Sequence, residues 1–113
     1  MSPPVPFADL LADLRPNYAE RLRARVATLA EFLHDVREGT LFEAAVADNH
    51  RCVHSMVSSA AIFGHAELSK NARAAEQAFE ERSQMGTQSL IDRLEALLAS
   101  ANDVLDVYRE PLQ

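Results

Sequence analysis

Apolar residues recur every three or four positions along most of this chain, with polar residues filling the gaps. Tyr18, Leu22, Val26, Leu29, Leu33 and Val36 form one stripe, and Phe42, Val46, Asn49, Val53, Met56, Ala60 and Phe63 form a second. Leu68, Ala72, Ala75 and Phe79 continue the pattern, followed by Leu90, Leu94, Leu97, Ala101, Leu105 and Tyr108. This spacing matches the period of an α-helix and puts each stripe on one face that must be covered by another helix. No β-branched run alternates with period two, so strands are not expected.

Proline and glycine divide the chain between the stripes. Pro3, Pro4 and Pro6 make residues 1–6 an extended, flexible arm. Residues 7–14 can form one or two helical turns, and Pro16 suits the first turn of a longer helix. Gly39 and Gly64 follow the ends of stripes, Gly86 separates the last two, and Pro111 lies beyond the final one. The expected elements are a short helix over 7–14 and bundle helices over 16–37, 41–63, 66–84 and 87–109. Short connections favour antiparallel neighbours. The predicted fold class is therefore all-α: an antiparallel up-down-up-down four-helix bundle with a short extra N-terminal helix, one domain over 1–113.

Composition narrows the function classes. The 113 residues are 48% hydrophobic and 25% charged, the balance of a soluble globular protein with one core. No apolar run approaches the roughly 20 residues of a membrane span. The opening MSPPVPFADL has neither a basic nor an apolar signal region, so the expected location is cytoplasmic. The single cysteine, Cys52, excludes an internal disulfide framework and a Cys-based zinc finger. A net charge of −6 argues against a dedicated nucleic-acid binder.

The second helical segment carries the candidate chemistry. At 100° per residue, His54 points roughly 130° away from the centre of its apolar seam. It is expected to face solvent beside Ala47, Ser58 and Ala61, with Arg51 further round. Three of those neighbours are small, which leaves the imidazole approachable by another protein's surface. His50 stands one turn before His54, a spacing that can hold zinc, but HExxH is absent and no third ligand is evident. His50 reads as a boundary residue or a flank of the same surface, and no metal is expected. Glu31 and His34 form a single Glu-x-x-His pair, too few for a di-metal carboxylate bundle. Asn49 interrupts the seam and is expected to hydrogen-bond within the bundle or to fix helix register. Cys52 reads as a small apolar residue, and Ser59 and Ala60 as close-packing ones.

The string from His54 through Ser-Met-Val-Ser-Ser-Ala-Ala-Ile-Phe to Gly64 resembles the signature of histidine phosphotransfer (Hpt) domains. It matches that pattern at His54, Met56, Ser59, Ala60, Phe63 and Gly64, and Leu68 and residues 74–77 fit the family's next helix. The likeness spans roughly residues 8–109. Val57 stands where the family usually has lysine, and Ser58 where it usually has glycine. The resemblance implies that His54 accepts a phosphoryl group from a receiver-domain aspartate and passes it to another receiver. An imidazole is mostly uncharged near neutral pH and needs no dedicated base for this attack. The implied partners are response-regulator receiver domains or a hybrid histidine kinase. The divalent cation belongs to the receiver, and no cofactor of the chain's own is implied. Arg51 on the same helix or Lys70 on the next is a candidate to replace the charge that Val57 lacks. Phe7, Leu10 and Leu11 are candidates for a docking patch or a cap on the bundle. No P-loop or glycine-rich nucleotide loop is present, so ATP-dependent self-phosphorylation is not expected. A monomer is expected, because transfer needs one face free. The alternative reading is a non-transferring bundle that uses the same surface to bind or sequester a signalling partner.

Overall fold

The computed structural model describes residues 7–108, and the side chains of 14–108. Five helices follow one another: α1 (Phe7–Glu38), α2 (Glu43–Ile62), α3 (Ala66–Glu80), α4 (Arg82–Met85) and α5 (Thr87–Val107). The described residues contain no strand. The long helices pack as a closed ring in which α2 lies on α3, α3 on α5, α5 on α1 and α1 on α2. Contacts at the two ends give the alternation. Tyr18 near the start of α1 stacks on Phe63 after α2, 4.3 Å between centroids, and on His65 before α3, which meets Tyr108 after α5. At the other end Phe32 of α1 stacks on Phe79 of α3 at 5.6 Å, and His50 of α2 stacks on the same ring. The bundle is thus up-down-up-down, as the short connections require.

The stripes read from the sequence form the core. Leu22, Leu29, Val53, Met56, Leu68, Leu90, Leu94 and Leu97 are almost completely shielded from solvent. Facing positions on α3 are Ala72, Ala75 and Ala78, small residues that let neighbouring helices approach closely. Asn49 is the one buried polar residue among those described. Its side-chain amide donates to the Ala45 carbonyl at 2.8 Å, while its Oδ1 has no partner.

Helix boundaries and one core position differ from the sequence reading. The separate helix over 7–14 does not exist: α1 runs for 32 residues straight through Pro16. A proline inside a helix costs about 3 kcal/mol in a lost hydrogen bond and a ring clash. Here Leu14, Arg15, Pro16 and Asn17 are all exposed, so the ring sits at the solvent side of the helix rather than in the core. Burial begins directly afterwards, with Tyr18, Ala19 and Leu22. The short extra helix is α4, because the segment expected as one helix over 66–84 turns at Glu81. The second difference is Phe42, expected in the core stripe but 75% exposed. It caps α2 in an extended conformation, so helical spacing does not govern its direction.

Glycine ends the two helices that flank the critical segment. After α2, Gly64 at φ 82° lets its own N–H reach the Ala61 carbonyl at 3.1 Å and the His65 N–H reach Ala60 at 2.8 Å. This left-handed stop satisfies the last carbonyls of the helix and fixes where α3 begins. Gly39 does the same after α1, with Thr40 bonded to Asp35. The expected arm over 1–6 lies outside the described residues. The side chains of Phe7, Leu10 and Leu11 also lie outside them. No helix among the described residues is long and apolar enough to cross a membrane.

Candidate functional site

The middle of α2 presents His54 to solvent, its side chain 74% exposed. The helix does this by burying the opposite face: Val53, Met56 and Ala60 are in the core. Ala47, Ser58 and Ala61 are exposed on the same side as His54, and so is Arg51, as helical geometry requires. Three small side chains therefore share the exposed face of α2 with the imidazole.

The imidazole is not free on its inner side. Its Nδ1 meets a carboxylate oxygen of Glu76 on α3. Glu76 is 13% exposed at its side chain, so this contact is far better shielded than the ring it holds. A carboxylate facing Nδ1 favours the tautomer that carries the proton there, which leaves Nε2 as the ring's lone-pair nitrogen. Nothing in α2 alone announces Glu76. Its trace in the sequence is its place within residues 74–77, directly after the core residue Ala75, which puts it on the flank of α3.

A shallow groove joins these groups, lined by His50, Arg51, His54, Ser55, Glu76 and Glu80. The ring of His50 lies flat on Phe79, 5.2 Å between centroids and 2° from parallel, with Nε2 4.0 Å from a Glu80 oxygen. The Arg51 guanidinium is paired with Asp48, and the Ser55 hydroxyl donates to the Arg51 carbonyl at 3.1 Å. Lys70 does not line this groove. It lies with Ala61, Ser69 and Arg73 around a separate depression toward the end of α2. Arg73, which the sequence reading did not single out, thus adds a cation beside the small-residue face.

Val57 is 8% exposed and belongs to the core. Its carbonyl accepts the Ser69 hydroxyl at 2.8 Å, so this turn of α2 is fastened to the start of α3. On the opposite flank Arg25 of α1 donates to the Ser59 hydroxyl at 3.3 Å. Ser59 is therefore a packing and anchoring residue, while Ser58 stays free on the surface. Burial pushes the half-buried Cys52 thiol above its usual range, which suits its reading as a small apolar filler.

A comparison with protein families matches the Hpt domain over residues 13–103, most of the chain. The chain belongs to the Hpt domain family. Hpt domains carry out histidine phosphotransfer in two-component phosphorelays, where they meet receiver domains and kinases. The matched stretch contains α2, α3 and all of the groove. No curated protein and no solved structure matched this Hpt domain.

Proposed function

We propose that this Hpt domain is a phosphocarrier that accepts a phosphoryl group on Nε2 of His54 from a receiver-domain aspartate and returns it to the aspartate of a second receiver. The observation that carries this reading is an exposed imidazole, framed by small residues, with Nδ1 held by a shielded carboxylate. The Nε2 lone pair attacks phosphorus in line, an N–P bond forms, and the bond between phosphorus and the aspartate oxygen breaks. The electron pair leaves with the aspartate carboxylate. No proton need depart, because the proton on Nδ1 stays between the ring and Glu76. The phosphorylated ring is cationic before charge on the phosphoryl group is counted, and the Glu76 carboxylate is placed to stabilise it. In the reverse step the same ring leaves as a neutral imidazole.

The divalent cation that transfer requires sits on the receiver side of the complex, and the groups supplied by this chain position rather than activate. With Val57 in the core, the cationic help to the phosphoryl oxygens is assigned to Arg51, which lines the groove, and to Lys70 and Arg73 beyond Ala61. Ala47, Ser58 and Ala61 are the floor on which a receiver rests. A monomer in the cytoplasm leaves that floor open. The rival reading, a bundle that binds a signalling partner without transfer, draws on the absence of a lysine at position 57. Incubation with a receiver domain charged by acetyl phosphate separates the two. Acid-labile, alkali-stable label on the wild type and none on His54→Gln supports the carrier. Stable complex formation without label supports the rival.

A further inference from the structure

Two helices each contribute a pair of metal-binding residues one turn apart to the same groove: His50 and His54 from α2, Glu76 and Glu80 from α3. The ligand atoms of His50, Glu76 and Glu80 all lie within 4.8 Å of one another. A tetrahedral ion with bonds of about 2.1 Å needs its ligand atoms about 3.4 Å apart. The set is within a side-chain adjustment of that spacing, and His50 Nε2 and Glu80 are already at 4.0 Å.

Two independent features favour a cation there. First, the His50 ring is held flat against Phe79, so a ligand nitrogen is presented in a fixed direction. Second, Glu76 and Glu80 are like charges at i,i+4, a mutually destabilising arrangement. Among the described residues they have imidazoles as their ion-pair partners and no lysine or arginine. The Arg51 guanidinium contacts Asp48 rather than either carboxylate.

We infer that His50, Glu76 and Glu80 form a site for a zinc-type divalent ion, and that the ion competes with His54 for Glu76. One imidazole with two carboxylates suits zinc or a neighbouring transition ion, whereas calcium and magnesium prefer oxygen alone. Water completes the coordination. A carboxylate committed to the ion no longer fixes the His54 tautomer, so a bound ion slows transfer. The binding stands independently of the phosphocarrier reading; the slowing rests on it.

Calorimetric titration of the full chain with zinc chloride, in a non-chelating buffer near neutral pH, tests the site. The expected result is one ion per chain, with affinity reduced about tenfold or more by Glu80→Gln and by His50→Ala. Glu80 is exposed, so Glu80→Gln keeps the fold, as circular dichroism will report. Absence of binding, or equal affinity in wild type and both variants, overturns the proposal. In a second arm, zinc is added to receiver-driven labelling at fixed magnesium. Slowing in the wild type that Glu80→Gln abolishes supports competition for Glu76; equal slowing in both overturns it. Zinc binding in a chain that takes no label keeps the site and removes the phosphocarrier reading.

Discussion

The Glu76 carboxylate on α3 reaches across the interhelical groove to Nδ1 of His54 on α2, a shielded base against an exposed ring. The relationship assigns the two ring nitrogens different tasks. One is committed to the protein, and the other is the nitrogen that the proposed function offers to a partner.

Removing that commitment should slow transfer without unfolding the bundle. A hydrogen bond to a charged group is worth about 1.5–3 kcal/mol, and each 1.36 kcal/mol of barrier is about tenfold in rate. Glu76→Gln is therefore expected to lower the rate of label uptake from a charged receiver by about 10–100-fold, with the circular dichroism spectrum unchanged. Rapid-quench kinetics reads the effect, and an unaltered rate would show that Glu76 does not act on His54.

The small-residue floor makes a steric prediction. Ser58→Trp or Ala47→Trp adds bulk at an exposed position, where substitutions usually change stability by no more than about 0.5 kcal/mol. Each should raise the KM for a charged receiver by about tenfold or more while the melting temperature stays put. A tryptophan tolerated at both positions would place the docking surface elsewhere.

Asn49 is a cost in the core. Its Oδ1 is buried without a partner, and a group left that way costs about 1–3 kcal/mol. The Ala45 carbonyl that its amide contacts already serves the helix. Asn49→Leu, close to isosteric, is expected to stabilise the fold by about 1 kcal/mol, a rise of about 4 °C in melting temperature. A fall on differential scanning calorimetry would mean that the polar group contributes to the packing of α2.

The aromatic end of the bundle should respond to acid. The His65 ring lies against Tyr18, with Nε2 2.9 Å from the Tyr108 hydroxyl. Burial first, and the Arg15 charge second, hold the His65 pKa below the usual imidazole value. The same burial pushes the Tyr18 hydroxyl up to about 12. For His65 the unfolded chain takes the proton first as pH falls through about 6.5. Its contribution to stability is thus complete above that pH and is lost as pH drops toward the folded-state value. The melting temperature of the wild type should fall more steeply between about pH 7.5 and 5.5 than that of His65→Gln. Parallel curves would rule out His65 as the group responsible.

Periodicity made the fold legible, because a stripe such as Leu90–Leu94–Leu97–Ala101–Leu105 has a single helical interpretation and needs a shared core. Pro16 and Phe42 escaped that logic. Pro16 marks a local penalty, and the buried residues that follow it hold the helix together regardless. Phe42 has the right spacing but lies outside the helix that would give spacing a meaning. The outward direction of His54 was equally legible, since it depends only on angles within α2. Glu76 and Glu80 were not, because their approach depends on the register of α3 against α2. That register is set by packing and by links such as Ser69 to Val57, and no spacing within one helix encodes it. For the same reason the carboxylates of Glu76 and Glu80 that line the groove with His50 could not be read from α2.

Nε2 of His54 is the atom proposed to carry the phosphoryl group. Phosphorus–proton correlation NMR on the chain labelled by a charged receiver reads this directly. The predicted spectrum has one phosphoramidate resonance, coupled to the His54 ring through Nε2 and absent from His54→Gln. A resonance coupled through Nδ1, or assigned to His34, His50 or His65, would contradict it.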